Sequence, residues 1–301
     1  MLNRRVAIVG GGIAGLYAAV RLLEHGIDDI VLLEGRDRIG GRVLSVPGNT
    51  QRYDLGATWY WPAMQPELHA LVSRLGLATL AQHETGEMLV ERAVSRPPDR
   101  FTGFVSALPS LRLVDGMASL GEALARRIPE DRLRLGHRVA AMATDGRSVT
   151  LQVVRDDGTP TTMQADHVLL AMPPRLAAAI DMQPSLPASL LRQWRSVGTW
   201  MAPHAKYVAI YDTAFWRDAG LSGHARSTSG PLVEIHDASP DKTQGALFGF
   251  IGIPAAMRRR MPELALRDLC RAQLVRLFGD GAARPRAEYL KDWAADGYTA
   301  T

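Results

Sequence analysis

One cysteine in 301 residues, Cys270, has no partner for an intrachain disulfide, so packing alone must hold the fold. The same scarcity fits a reducing cytoplasm, the expected compartment. No apolar run approaches the ~20 residues of a membrane-spanning helix. Arg4-Arg5 ahead of an apolar stretch imitates a secretory leader, but no cleavage site follows, and the glycines after Val9 and the later Glu24 favour a strand and a helix. The eight histidines show no i, i+4 pairing and no carboxylate at metal spacing, which argues against a metal centre. Charge of one sign is scarce too: 35 basic against 31 acidic residues leave a net +4. Arg126-Arg127 and Arg258-Arg259-Arg260 are short runs on predicted helices, expected as solvated faces. No basic stripe interleaved with aromatics offers a nucleic-acid surface. What remains is the composition of a globular enzyme, 47% hydrophobic and 22% charged, long enough for two domains.

The most informative stretch is 6–42. Val6-Ala7-Ile8-Val9 is an apolar run with β-branched residues and predicts a buried strand. Gly10, Gly12 and Gly15 follow in GxGxxG spacing, with Ala14 inside it, and Leu16 to Glu24 supplies a helix. Gly10 allows a tight turn, Gly12 clears a side chain from the approach of a pyrophosphate, and Gly15 lets the helix pack close to the sheet. The helix N-terminus then presents unpaired N–H groups and a positive dipole end to the phosphates. A second strand, Ile30 to Leu33, ends in Glu34, an acid placed to hold ribose hydroxyls and to repel a 2′-phosphate. Strand, glycines, helix, strand and acid in that order point to a dinucleotide. The chain continues Glu34-Gly35-Arg36-Asp37-Arg38-Ile39-Gly40-Gly41-Arg42, a second glycine turn whose amides can face a phosphate, with Arg42 able to pair with it.

This Glu-x-Arg-x-x-x-Gly-Gly-Arg segment resembles the glutathione-reductase-type FAD domain of the flavin amine oxidases. On that resemblance FAD rather than NAD is the expected cofactor. Tyr53-Asp54-Leu55-Gly56-Ala57-Thr58-Trp59 is similar to the family segment that lies along the isoalloxazine, which implies contacts from Gly56, Ala57, Thr58 and Trp59. Val139 stands where the family places a valine whose backbone meets the adenine. Met172-Pro173-Pro174, Leu186-Pro187, Lys206 and Phe215-Trp216-Arg217 extend the likeness to the monoamine oxidase family over nearly the whole chain. It implies that Lys206 is the catalytic residue, holding a water against flavin N5. By residue type alone, a lysine at a strand start belongs on the surface. Trp59 and Trp216 are candidates for lining a pocket, although large aromatics are more often core.

The expected architecture is α/β: a glutathione-reductase-type FAD-binding Rossmann domain with a discontinuous α+β substrate domain, a mixed sheet flanked by helices. Residues 1–80 and 113–182 are assigned to the FAD domain, 81–112 and 183–290 to the substrate domain, and 291–301 to the start of a return. Periodicity predicts helices over Gln65–Leu75, Leu120–Arg127 and Pro262–Phe278. It predicts strands over Leu133–Met142, Val149–Val154, Met163–Ala171, Lys206–Tyr211 and Gly245–Ile253, with an Asp157-Gly158 turn closing a meander. Cys270, on the last helix, is expected in the core. Gln82 to Arg112 reads as an excursion much shorter than the helical lobe of monoamine oxidase. The sequence stops after Gly297-Tyr298-Thr299-Ala300-Thr301, where the family continues into a third FAD segment, so weaker FAD binding is expected. The implied reaction moves hydride from an amine carbon to flavin N5, with dioxygen as acceptor, giving imine or aldehyde, ammonia and hydrogen peroxide. The alternatives are renalase-like oxidation of dihydronicotinamides, another flavin oxidation or desaturation, or a flavoprotein without catalysis.

Overall fold

The computed structural model describes residues 5–48, 51–102, 108–240 and 244–299. The chain divides into two compact units: Met1–Val43, Ala118–Ala202 and Asp296–Thr301 in one, Leu44–Met117 and Pro203–Ala295 in the other. Residues 44–80, grouped with the FAD domain on sequence, thus pack with the second unit, where Tyr53 and Leu55 enter a core with Val208 and Phe248. Residues 183–202 pack with the first.

In the first unit, β1 (Val6–Val9), α1 (Ile13–Glu24) and β2 (Ile30–Leu33) form the expected βαβ element. β1 runs parallel to β2 and to His167–Leu170, and β2 runs parallel to Leu133–Arg134. The predicted strand Leu133–Met142 is in fact two. Gly136, at φ 65°, turns the chain out of the parallel sheet, and His137–Thr144 joins a second sheet. The predicted Met163–Ala171 divides in the same way: Pro160–Ala165 lies in the second sheet, and His167–Leu170 borders β1. Asp166 sits at the break, where its carboxylate accepts from the Arg5 amide at 2.7 Å. Ala7, Val9, Val31 and Leu33 share one core with Val139, Met142, Leu151 and Val153 of the second sheet. The hairpin closes at Asp157-Gly158 as expected, with Gly158 at φ 81°.

The second unit is built on a seven-stranded sheet, ordered Ala287–Asp292, Ala205–Tyr211, Gly245–Ile251, Leu232–Asp237, Leu221–Ser227, Glu87–Glu91 and Asp99–Thr102. The excursion therefore supplies two strands, the first parallel to Leu221–Ser227. All seven residues of Ala205–Tyr211 are buried, because both faces of the strand are covered. Tyr207, Ala209 and Tyr211 share a core with Leu266, Cys270 and Leu274 of the helix Glu263–Phe278. Val208 and Ile210 pack instead with Tyr53, Leu55 and Phe248. A period of two puts Lys206 on that second face. Cys270 is the inert core thiol expected: burial pushes it up to about 12. No helix among the described residues is long and apolar enough to cross a membrane.

Two expectations are corrected here. Trp216 does not line a pocket; it is wholly buried, and its Nε1 donates to Asp237 at 2.8 Å. Arg217 grips both oxygens of the same carboxylate, and the Ser239 amide donates to it at 2.7 Å. The Phe-Trp-Arg signature is thus a clamp between a short helix and the sheet. Arg258 is not solvated either: it donates to both Asp292 oxygens and to the carbonyls of Pro203 and Ile253. Arg259, Arg260, Arg126 and Arg127 are exposed, as expected.

Asp237→Ala removes a wholly buried carboxylate that serves a partly buried guanidinium and a buried indole N–H at once. It is expected to lower unfolding stability by about 3–5 kcal/mol, read by urea denaturation on tryptophan fluorescence, whereas Arg260→Ala should change it by less than about 0.5 kcal/mol.

Candidate active site

The two glycine turns of the first unit lie backbone against backbone. Gly10 sits at φ 113°, and a Cβ there would fall 2.5 Å from the Ala171 carbonyl. At Gly15 the same atom would come within 1.9 Å of the Gly10 carbonyl, so no side chain fits where the helix crosses the strand. Gly40 donates to the Gly11 carbonyl at 2.9 Å, and a Cβ on Gly41 would lie 3.3 Å from Gly12 Cα. Gly12 is the N-cap of α1 and has no side-chain cap; Ala14 stands exposed in the first turn. The result is a cradle of bare backbone at a helix N-terminus, which suits a pyrophosphate.

Glu34 is 4% exposed, and its carboxylate accepts from the amides of Gly11 at 2.7 Å and Arg36 at 2.9 Å. Each carboxylate oxygen has a second lone pair, so these bonds fix the acid without exhausting it. Arg36 pairs with Asp296 at 2.5 Å, reaches Thr299 Oγ1 at 3.4 Å and lies over the Tyr298 ring at 5.0 Å. Gly35 is needed at this point, since a Cβ would meet that ring at 2.7 Å. Arg42 finds a carbonyl partner in Trp200, at 2.5 Å. Arg38, overlooked on sequence, braces the second turn by donating to the carbonyls of Ile39, Gly41 and Val43. Val139 is buried in the core of this unit, beside a bulge in its strand.

The second unit gathers Gly56, Ala57, Thr58 and Trp59 on the face of the sheet that carries Lys206. Lys206 is 2% exposed, far from the surface position its residue type suggests. Its Nζ donates to Thr58 Oγ1 at 2.5 Å and to the Gly56 carbonyl at 3.4 Å, and lies 3.8 Å from the Phe248 ring centroid. Burial pushes its pKa down to about 7; the Asp54 carboxylate works against that shift, and Arg112 adds to it. Asp54 is itself held above the usual carboxylate range by burial. Trp59 is partly buried: its Nε1 donates to Gln82 at 2.7 Å, and its ring meets His236 edge-on at 4.8 Å and Phe248 at 5.1 Å. Ala57 is exposed, and Thr58 is buried.

Sequence reasoning missed His236, His224 and Glu234. His236 stacks on Phe248 and pairs with Glu234 at 2.8 Å, while burial pushes His224 down to about 4. For Glu234 and His236 the available signal was their two-residue spacing along Leu232–Asp237.

A family model described as flavin containing amine oxidoreductase matches residues 13–102 and 99–301. Its break falls inside the excursion. Putrescine oxidase of Kocuria rosea is 25% identical over 416 residues, covering 99% of this chain and 84% of its own. The probable flavin-containing monoamine oxidase A of Dictyostelium discoideum is 24% identical over 398 residues, with 98% and 84% covered. Both alignments are longer than this chain, so these relatives carry internal segments that it lacks. Among solved structures, putrescine oxidase bound to putrescine has a TM-score of 0.84 at 21% identity, over 98% of this chain and 86% of that one. Cyclohexylamine oxidase from Brevibacterium oxydans IH-35A reaches 0.80 at 18%, with the same coverage. These share the fold.

Burial of Lys206 carries a stability signature. Its folded pKa of about 7 lies below the ordinary 10.5, so between those values the unfolded chain binds the extra proton. Stability therefore rises with pH across that window, and the penalty is complete below it. Urea unfolding of wild type and Lys206→Met at pH 6 and pH 10 should show wild type gaining on the variant as pH rises; a constant difference would show an ordinary lysine.

Proposed function

The chain belongs to the flavin-containing amine oxidoreductases, an FAD-using family of oxidoreductases, and we propose that it oxidises the carbon–nitrogen bond of a small amine with dioxygen as the electron acceptor. The observation that carries this reading is Lys206, buried among Thr58, Gly56 and the Phe248 ring on the face that also presents Trp59 and His236. An ammonium in apolar surroundings is costly, and it persists where a charge is needed at a reacting atom.

The backbone cradle of Gly10, Gly12, Ala14, Gly15, Gly40 and Gly41 would take the FAD pyrophosphate, with Arg42 released from the Trp200 carbonyl to pair with it. Glu34, Gly35 and Arg36 would hold the adenosine ribose, Val139 the adenine, and Gly56, Ala57, Thr58 and Trp59 the ring system. Bound there, FAD would supply the two-electron acceptor for hydride from the amine α-carbon; water would hydrolyse the resulting imine to aldehyde and ammonia, and dioxygen would take up the two electrons as hydrogen peroxide. The protein's part is to place and protect. Lys206 Nζ orders a water and supplies positive charge where reduced oxygen develops. Trp59, Phe248 and Phe250 exclude bulk solvent and favour an uncharged amine, the form that holds a donor lone pair. The missing internal segments leave less protein to enclose a long substrate, which also suits a dihydronicotinamide, so substrate choice is the point to test.

With FAD loaded and oxygen removed, a panel of small amines should bleach the yellow flavin band. Bleaching by reduced nicotinamides alone would replace amine oxidation with the renalase-like reaction, and a chain that stays colourless after added FAD would overturn both. With a simple alkylamine, kcat/KM should rise with pH as the substrate loses its proton; a flat profile would count against attack on the neutral amine.

A further inference from the structure

Behind Thr58 and Phe248, the partners of Lys206, the second unit holds a partly open cavity of about 20 Å³ whose walls also include Asp54, Arg112 and Val208. That is room for a single water. The three polar groups are all buried. Thr58 is the acceptor for Lys206 Nζ. Asp54 is tied by one oxygen to Ser45 Oγ at 2.5 Å and to the Met117 amide at 2.8 Å. Arg112, 6% exposed, spends its terminal nitrogens on the carbonyls of Ala238 and Ser239, and its buried Nε has no partner among the described residues. An orphaned donor in low dielectric needs an acceptor, and a water in this cavity supplies one.

We propose that Asp54 is the positioning residue for Lys206: through a water held between Thr58 and Arg112, its carboxylate keeps the lysine ammonium charged inside the sheet. The other groups around Lys206 do not supply that counter-charge. Lys291 is its register partner on one side, with its own ammonium over the Trp293 ring at 4.7 Å. Phe250 is the partner on the other, and beyond it Glu234 is engaged by His236. Against the face that carries Lys206 stand Asp54, which favours the charged lysine, and Arg112, which opposes it. This deepens the role given to Lys206 above, yet its test needs no turnover, so failure of one leaves the other standing.

The chain holds only three lysines, Lys206, Lys242 and Lys291, so ¹³C labelling at lysine Cε yields three signals. The Lys206 signal is the one lost in Lys206→Met. Titrated in the full chain as purified, it should have a midpoint well below the ordinary 10.5 of a lysine. Asp54→Asn should lower that midpoint by about one pH unit or more, and Arg112→Gln should raise it by a similar amount. Opposite signs mark an electrostatic role, since loosening of the cluster would move both variants toward an ordinary lysine. An unchanged or raised midpoint in Asp54→Asn overturns the proposal. Should that variant not fold, an unchanged or lowered midpoint in Arg112→Gln overturns it alone.

Discussion

Placing one ammonium near the start of a fully buried strand constrains everything around it. Desolvation disfavours the charged form of Lys206 by several kcal/mol before any partner is counted. The offsets are all local: a hydroxyl at Thr58, a carbonyl at Gly56, the π-face of Phe248 and the carboxylate of Asp54. Each in turn needs its own support. Asp54 is kept in place by Ser45 and the Met117 amide, and Phe248 by His236 and Phe250. The hairpin and loop of residues 45–59 therefore belong physically with the sheet, although their sequence motif follows directly on the glycine turns.

The first unit solves a different problem, that of bringing two stretches of main chain together without side chains between them. Gly12 and Gly41 approach closely enough that a methyl group on Gly41 would press on the other backbone. Glu34 then locks the arrangement by accepting from an amide on each side, Gly11 before α1 and Arg36 after β2. Glu34 is thus a structural tie in its own right, buried and joined to both flanking turns.

These two halves were legible in the sequence to very different degrees. The βαβ element and the second glycine turn are local patterns, and φ constraints at Gly10 and Gly41 leave few alternatives to glycine, so they could be placed residue by residue. Lys206 was identifiable only by resemblance, because nothing in Ala205–Tyr211 announces that a lysine will be buried. Partners remote in sequence were not legible. Arg36 with Asp296, Trp216 and Arg217 with Asp237, and Arg258 with Asp292 join residues whose pairing depends on the finished fold. Leu133–Met142 and Met163–Ala171 misled for a related reason: neither stretch holds a proline or a long polar loop to announce that the chain changes sheet, and only Gly136 and Asp166 mark the crossing.

The excursion of residues 82–112 can be understood on the same terms. Glu87–Glu91 and Asp99–Thr102 lie at the far edge of the seven-stranded sheet, whereas Lys206 lies four strands away from the nearer of them. Edge strands tolerate a change in connection length, because loop closure entropy grows only slowly with length and no core strand is displaced. Segments can therefore be lost between or beyond such strands while Asp54, Thr58, Arg112 and Phe248 keep their places around the lysine.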